Sequence, residues 1–175
     1  MKEKTFIMDE IAINRAISRL SFEIIENNKG IDDIIIFGII TRGNYIAQRI
    51  AKKISEHEKK PIAYAELDIT PYRDDERRRT HEKSYSKLLD KVNGKKVVLV
   101  DDVIYTGRTA RAAIEAVLRH GRPKTIQLAV LIDRGHRELP IRPDYIGKNV
   151  PTSKNEQIKV NLTECDEINS VEIIK

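Results

Sequence analysis

The sequence predicts an α/β fold, in which helices flank a mostly parallel sheet within a single domain of 175 residues. Strand-like apolar runs alternate with segments whose apolar residues recur every three or four positions, which is typical of parallel sheets with crossover helices. The strand-like runs, such as IIIFGII, are continuous and rich in β-branched residues, as expected for strands covered on both faces. Three of them end in polar, glycine- or aspartate-containing turns.

The first half of the chain predicts two strands and two helices. Residues 9–28 carry one apolar stripe at helical spacing, and Asp9 suits the N-cap while Gly30 suits the stop. Residues 34–40 predict the first strand, residues 45–58 the second helix and residues 62–69 the second strand.

The second half begins with residues 71–94, which are polar and strongly charged and predict a mobile segment. Residues 97–100 then predict a strand, residues 109–120 a helix that Gly121 and Pro123 stop, and residues 125–132 a further strand. After another polar, arginine-rich connection, two short strands are predicted at residues 158–162 and 171–174.

Composition excludes several classes of protein. The single cysteine, Cys165, rules out an intramolecular disulfide and a cysteine-based zinc cluster, and the four histidines show no metal-ligand spacing. No apolar run reaches membrane-spanning length and the N-terminus lacks a secretory-type apolar block, so we expect a cytoplasmic protein with no membrane partner. The net charge of +5 is compatible with binding phosphates or RNA, but equally with neither.

The strand ends predict where a ligand binds. In open parallel sheets, ligands lie outside the carboxyl ends of the strands. Three such ends carry polar turns that would open on the same edge of the sheet: residues 41–43 (TRG), residues 101–102 (DD) and residues 133–135 (DRG).

The segment VVLVDDVIYTGRT carries the most specific chemistry. Thr106, Gly107 and Thr109 stand at a predicted helix start, where backbone N–H groups, hydroxyls and the helix dipole favour a phosphate. Asp101 and Asp102 lie a few residues upstream and suit a vicinal diol or a magnesium ion shared with a pentose. The alternative is that the carboxylates only solvate a strand end and the turn only caps a helix. The whole series favours a ribose 5-phosphate site.

Other phosphate-binding loops are absent. The sequence contains no G-x-x-x-x-G-K-[ST] loop, and no G-x-G-x-x-G follows a strand. Nucleoside triphosphatase and dinucleotide-binding sites of those kinds are therefore excluded.

The same segment resembles the phosphoribosyl pyrophosphate (PRPP) signature of type I phosphoribosyltransferases. Further blocks resemble those of the members that regulate pyrimidine operons by attenuation and are also uracil phosphoribosyltransferases: GIITRG, LDITPYRDD, AVLIDRGHRELPIRPDYIGK and VPTSK. The resemblance runs from about residue 7 to residue 159. It implies a flexible loop at about residues 71–94, and a hood formed by about residues 133–175 with the N-terminal region.

The resemblance also implies a role for each matching residue. Asp101, Asp102 and Arg42 are the expected catalytic residues, with the aspartates on the ribose hydroxyls. The 5-phosphate is expected on Val103, Ile104, Tyr105, Thr106, Gly107, Arg108 and Thr109. The expected pyrophosphate loop is Thr41, Arg42 and Gly43, and the flexible loop is expected to contact substrate through Tyr72 and Arg73. The expected base-binding hood residues are Arg134, Gly135, His136 and Arg137.

The implied activity is the transfer of phosphoribosyl from PRPP to uracil, giving UMP and pyrophosphate. Magnesium (Mg²⁺) is expected to bind through the substrate, with Asp101 and Asp102 as candidate ligands. The resemblance also implies UMP-responsive binding of a pyrimidine-operon mRNA stem-loop, which promotes transcription termination, with a homodimer or a higher homo-oligomer as the assembly. The candidate RNA-binding residues are Arg15, Arg19, Arg142 and Lys148. The alternatives are a phosphoribosyltransferase for uracil or another base with no RNA role, and an RNA-binding regulator without catalysis.

Overall fold

The computed structural model describes residues 3–74 and 86–175. Within them lie the strands β1 (Lys4–Met8), β2 (Ile34–Ile39), β3 (Ala63–Leu67), β4 (Lys96–Ile104), β5 (Thr125–Asp133), β6 (Tyr145–Asn149), β7 (Gln157–Asn161) and β8 (Ser170–Ile174). The helices are α1 (Glu10–Asn28), α2 (Arg42–Glu58) and α3 (Arg108–His120), with short 3-10 turns at Thr70–Tyr72 and Leu89–Lys91. None of the helices in these two ranges is both long enough and apolar enough to cross a membrane.

The main sheet has five parallel strands in the order β3-β2-β4-β5-β6. All six residues of β2 are buried, and they alternate between two cores because successive side chains point to opposite faces. Ile34 and Ile36 pack in the core that contains the apolar stripes of α1 and α2. Ile35, Phe37 and Ile39 pack in the core that contains α3. The predicted α/β class, with a mostly parallel sheet between helices, is confirmed.

A second sheet joins the two ends of the chain. Its three strands follow the order β1-β8-β7 and are antiparallel, with Thr5 opposite Ile173 and Val160 opposite Val171. Val160 and Val171 are buried in the same core as α1 and α2. This sheet therefore packs on the side of the main sheet that carries those two helices.

Two predicted elements have bounds that differ from the structure by three or more residues, and two strands were missed. The strand predicted at residues 97–100 continues through Asp101 and Asp102 to Ile104, because β5 pairs with it up to Ile104 opposite Asp133. Helix α2 begins at Arg42, not at Tyr45. Strands β1 and β6 were not predicted at all.

The end of the segment predicted to be mobile, residues 86–94, is held by the core. Leu89 and Val92 are buried against the α3 side of the sheet. Residues 75–85 of the same segment lie outside the described residues.

Candidate active site

The turn between β4 and α3 is built to face an anion. Gly107 is the N-cap of α3 and has φ +92°, a left-handed conformation that glycine adopts without steric cost. The first N–H groups of a helix have no intrahelical acceptor and carry the positive end of the helix dipole. The Thr106 hydroxyl accepts the N–H of Arg108 at 3.3 Å and so fixes the turn. The remaining N–H groups of the first turn are available to a ligand.

The β5–β6 connection closes the other side of this turn. The N–H groups of Glu138 and Leu139 donate to the Thr106 carbonyl at 2.9 Å and 3.2 Å. The Arg137 guanidinium donates to the Tyr105 carbonyl at 2.9 Å and to the Asp133 carboxylate at 2.6 Å. The carbonyls of the turn are thus satisfied by protein, which leaves its donors for the ligand side. Arg137, predicted in the hood, is occupied by these contacts.

Asp101 and Asp102 lie at the carboxyl end of β4. Asp101 accepts the N–H of Asp102 at 2.9 Å, and Asp102 accepts the N–H of Val103 at 2.8 Å. Burial raises the pKa of Asp101 well above its ordinary value, and the adjacent charge of Asp102 raises it further. Burial also raises the pKa of Asp102, against the opposing effects of its hydrogen bonds and the positive charge of Arg42. Two crowded carboxylates of this kind favour a cation or a pair of hydroxyl donors beside them.

A pocket of about 360 Å³ joins the acid at the strand end to the phosphate turn. Its lining includes Asp101, the turn residues 103–110, Arg73 and Glu138. The positive charge of Arg73 lowers the pKa of Asp101, which opposes the effect of burial. Arg111 of α3 donates to the Tyr72 carbonyl and holds the start of the predicted flexible loop against this pocket.

The predicted pyrophosphate loop packs directly against β4. Thr41 is the N-cap of α2 and follows a cis peptide bond from Ile40. A Cβ atom on Gly43 would lie 2.6 Å from the Val100 carbonyl oxygen and 2.9 Å from Asp101 Oδ1. Only glycine fits at this contact. The start of α2 and the Asp101–Asp102 pair therefore share one wall of the site.

Arg42 points its guanidinium at a carboxylate from the far end of the chain. Its Nη2 atom donates to Asp166 Oδ1 at 2.9 Å and to Oδ2 at 3.1 Å, while Nε donates to Oδ2 at 3.3 Å. The N–H of Leu162 also donates to Asp166 at 2.9 Å. The Leu162 N–H and the Arg42 guanidinium together hold the pKa of Asp166 at about 2.

The predicted base-binding residues form a stacked cluster around Tyr105. The Arg134 guanidinium lies 3.9 Å from the centre of the Tyr105 ring and donates to the Glu156 carbonyl at 2.8 Å. His136 Nε2 lies 2.5 Å from the Thr152 carbonyl oxygen, so it donates a proton there. His136 therefore does not offer this nitrogen as a general base. Gly135 turns the chain with φ +81°.

Two carboxylates hold the Arg108 side chain beside the phosphate turn that its backbone helps to form. Its guanidinium donates to Asp74 at 2.6 Å and to Glu138 at 2.8 Å, and these bonds raise its pKa. Arg108 therefore contributes its position in the first turn of α3, and its charge joins the predicted flexible loop to the β5–β6 connection.

The RNA-binding candidates are only partly brought together. Arg19 of α1 donates to the Gly147 carbonyl, and Lys148 follows that residue on β6. Arg15 lies one turn earlier on α1, and Arg15 and Lys148 are both exposed. Arg142 is exposed at the other end of β6, before its first residue. Arg19 therefore reaches β6 at the Gly147 backbone, whereas the Lys148 side chain points to the opposite face of that strand, so the four candidates do not form one surface cluster.

The sequence reasoning missed several residues that the structure places at the site. Asp166 contacts Arg42 across 124 positions, and Arg111 contacts Tyr72 across 39. Thr152 contacts both Arg134 and His136. No local pattern marks these residues. The only available signal was that Asp166 and Thr152 stand in polar stretches next to predicted strands.

The fold is that of the type I phosphoribosyltransferases. The structure superimposes on the hypoxanthine-guanine phosphoribosyltransferase of Leishmania tarentolae in complex with GMP with a TM-score of 0.73 at 14% identity, covering 98% of this chain and 97% of that one. It matches the hypoxanthine phosphoribosyltransferase of Trypanosoma cruzi with a TM-score of 0.74 at 15% identity, covering 98% and 96%. At these identities the likeness establishes the fold.

The sequence establishes the family. The model of the phosphoribosyl transferase domain matches residues 7–167, and the chain belongs to this family. Relatives named "Bifunctional protein PyrR" are 54% identical in Brevibacillus brevis, 55% in Clostridium kluyveri and 58% in a Thermoanaerobacter species. Each match covers 99% of this chain and 98% of the relative. The predicted fold class and the predicted phosphoribosyltransferase are confirmed.

Proposed function

We propose that this protein transfers the phosphoribosyl group of PRPP to uracil, giving UMP and pyrophosphate, and that it regulates pyrimidine-operon transcripts by binding an mRNA stem-loop in response to UMP. The observation that carries the enzymatic part is the shared pocket of Asp101, Arg73 and the amide-lined turn of residues 105–109. A sugar with two hydroxyls and a 5-phosphate complements this arrangement.

Each part of the site has a defined task in the transfer. The first turn of α3 binds the 5-phosphate, and Asp101 and Asp102 accept from the ribose hydroxyls. Breaking the bond at the anomeric carbon develops positive charge on the ribose and negative charge on the leaving pyrophosphate. The carboxylates stabilise the first charge and Arg42 the second. Holding uracil in line with the anomeric carbon supplies the remaining catalysis by orientation.

The residues also suit magnesium. Mg²⁺ is commonly held by one or two carboxylates together with substrate oxygens, and Asp101 and Asp102 supply such carboxylates. Among the described residues, no group of three or more histidine, cysteine or acidic side chains could hold a metal ion, so this site would be completed by substrate. Bound magnesium would neutralise charge on the pyrophosphate as it leaves.

We assign base binding to the cluster around Tyr105 and residues 134–137. Arg134 is buried and fixed by Thr152 and by backbone carbonyls, so the backbone around it is held in one conformation. A pyrimidine is recognised by donors and acceptors in the plane of its ring, and a fixed backbone supplies these. His136 contributes to that rigidity through Thr152.

The test of the enzymatic function is the formation of UMP from uracil and PRPP in the presence of magnesium. The double variant Asp101→Asn with Asp102→Asn removes both charges and keeps the side-chain size, so turnover should fall by orders of magnitude. The single variant Lys148→Ala, which is not among the residues that line the pocket, serves as the control and should retain turnover. Unchanged turnover in the double variant would refute the assignment.

Two observations support the RNA-binding function. The relatives carry the name "bifunctional", which favours a regulator that is also an enzyme over the alternative of an enzyme alone. Arg15 and Arg19 lie one turn apart on α1 and are both exposed, and neighbouring basic side chains bind phosphates. Arg142 and Lys148, which are exposed near the two ends of β6, would add separate phosphate contacts.

The affinity for a pyrimidine-operon stem-loop, measured with and without UMP across salt concentrations, tests this function. We expect tighter binding with UMP and a steep salt dependence, and Lys148→Ala should reduce the salt slope by about one unit. Equal, weak binding to unrelated hairpins would favour the enzyme without an RNA role. The assembly we propose is a homodimer able to associate further, which sedimentation of the same samples would measure.

A further inference from the structure

Two carboxylate–guanidinium pairs join the β7–β8 loop, residues 162–169, to helix α2. Asp166 accepts hydrogen bonds from Arg42 in the first turn of α2, and the shortest distance, from Nη2 to Oδ1, is 2.9 Å. Glu164 receives Arg49, seven positions later on the same helix, with Nε–Oε1 at 2.7 Å and Nη2–Oε2 at 2.5 Å. Both pairs are two-pronged, which fixes the orientation of a guanidinium as well as its position. Only the Asp166 pair stands at the proposed active site.

The Asp166 pair leaves part of the Arg42 guanidinium available. The bonds to Asp166 use Nε and Nη2, and Nη1 makes no hydrogen bond to any residue in the ranges 3–74 and 86–175. About a third of the Arg42 side chain, 34%, is exposed. A guanidinium has five N–H donors in one plane, so it can bind Asp166 along one edge and a phosphate along another.

Asp166 itself is held by its own loop. The Leu162 N–H donates to Oδ2 at 2.9 Å, and the Asp166 N–H donates back to the Leu162 carbonyl at 2.6 Å. The Cys165 thiol lies 3.3 Å from the same carboxylate. The acceptor that receives Arg42 is therefore fixed before any substrate arrives.

We propose that Asp166 is a positioning residue, which holds the Arg42 guanidinium in the orientation that binds the pyrophosphate group. This inference rests on the proposed function. An arginine side chain loses much rotamer freedom when it is ordered by a ligand, and that cost lowers affinity. Because Asp166 already orders Arg42 in the free protein, the binding of pyrophosphate does not require this loss of rotamer freedom.

The opposite role would be competition, in which Asp166 occupies Arg42 and pyrophosphate must displace it. Two observations favour positioning. Asp166 uses one edge of the guanidinium and leaves Nη1 for a second acceptor. The Asp166 charge is also compensated by Arg42, the Leu162 N–H and the Cys165 thiol, so its repulsion of an incoming phosphate is reduced. The two roles predict opposite changes in affinity when the pair is broken.

The variant Asp166→Asn breaks one prong of the pair with little change in shape. Its amide oxygen can remain on the Leu162 N–H, while its amide nitrogen replaces Oδ1, the nearer of the two acceptors of Nη2. The matched control is Glu164→Gln, which makes the same chemical change on the other pair of the same loop. Both variants loosen the loop from α2, so a purely structural effect should appear in both.

The experiment measures the binding of inorganic pyrophosphate with magnesium by calorimetry, together with steady-state kinetics. Asp166→Asn should weaken pyrophosphate binding and raise the KM for PRPP by about tenfold, equivalent to about 1.4 kcal/mol, with a smaller change in kcat and an unchanged KM for uracil. Glu164→Gln should leave the pyrophosphate affinity, kcat and both KM values unchanged. It should lower the melting temperature about as much as Asp166→Asn does.

Unchanged or tighter pyrophosphate binding in Asp166→Asn would overturn the inference, as would an equal loss in Glu164→Gln. If Asp166→Asn does not fold, Asp166→Glu keeps the charge and moves the pair by one carbon. It should weaken pyrophosphate binding in the same direction, and unchanged affinity would overturn the proposal. A wild-type protein that makes no UMP would refute the proposed function, whereas the calorimetry would still decide the role of Asp166. A wild-type protein that binds no pyrophosphate would overturn both.

Discussion

The contact between Gly43 and the end of β4 gives the sharpest prediction about catalysis. A Cβ atom at this position would lie 2.6 Å from the Val100 carbonyl oxygen and 2.9 Å from both Cα and Oδ1 of Asp101. Ordinary contacts begin at 3.4 Å, so Gly43→Ala must move α2 or the end of β4 by about 0.8 Å. Asp101 is one of the groups that must move.

The magnitude follows from this displacement. Misplacing a reacting group by about 1 Å can cost about 100-fold in rate, and inserting a methyl group into a packed contact costs about 1–3 kcal/mol of stability. In a chain of this size, each kcal/mol lowers the melting temperature by about 2–4 °C. Alanine is otherwise the better helix former, so without the clash this substitution would stabilise α2. We therefore expect a loss of about two orders of magnitude in UMP formation and a lower melting temperature.

The assay compares Gly43→Ala with Gly147→Ala. A Cβ atom on Gly147 would meet the Leu131 carbonyl oxygen on the neighbouring strand β5, which is the same kind of clash away from the carboxylates. Rates are measured at a temperature where both variants are folded. If Gly43→Ala keeps full turnover while losing only as much stability as Gly147→Ala, the reasoning that links Gly43 to Asp101 is wrong.

Two further predictions concern the phosphate turn and the acid stability of the Asp166 pair. Gly107→Ala meets no atom closer than 3.5 Å, but a side chain at φ +92° is strained, so the turn should shift and UMP should bind more weakly by calorimetry. Equal UMP affinity would show that the turn does not bind the phosphate. The pKa of Asp166 is about 2 in the folded protein and near 3.8 when unfolded, so this carboxylate stabilises the fold above about pH 4 and loses that effect as the pH falls toward 2. The difference in free energy of unfolding between wild type and Asp166→Asn, measured with urea, should therefore shrink over that range, and a constant difference would contradict the assigned pKa.

The sequence was most informative where local signals agree with the fold. The apolar stripe of α1 predicted the buried residues Ile13, Ile17 and Leu20, and the Asp9 carboxylate accepts the Ala12 N–H at 2.7 Å as an N-cap should. The continuous run of β2 predicted a strand covered on both faces, and every residue of it is buried. In these elements, burial and capping depend on neighbours in the sequence.

Local signals failed where distant parts of the chain decide the structure. The charges of Asp101 and Asp102 predicted a loop after residue 100. Strand β4 nevertheless continues through them, because β5 provides backbone hydrogen-bond partners up to Ile104. Strand β1 was missed because its first three residues are exposed on a small sheet, and β6 because YIGKN has no clear apolar run. Both strands depend on partners far away in the sequence.

The candidate site also contains some residues that local signals predicted and others that depend on distant parts of the chain. The phosphate turn could be predicted because helix starts, glycine and hydroxyls act over a few residues. The guanidinium contacts could not be predicted, since Arg42 meets Asp166 of the β7–β8 loop across 124 positions, and Arg134 meets Glu156 of the β6–β7 connection across 22. Arg137 is an example of a contact that the sequence did not predict. Its guanidinium donates hydrogen bonds to Asp133 and to the Tyr105 and Ile141 carbonyls.

A crystal structure with UMP bound tests the central claim most directly. We predict the 5-phosphate on the N–H groups of residues 106–109 at the start of α3, and the ribose hydroxyls within hydrogen-bonding distance of Asp101 or Asp102. A nucleotide bound elsewhere, with this turn free of phosphate, would contradict the account.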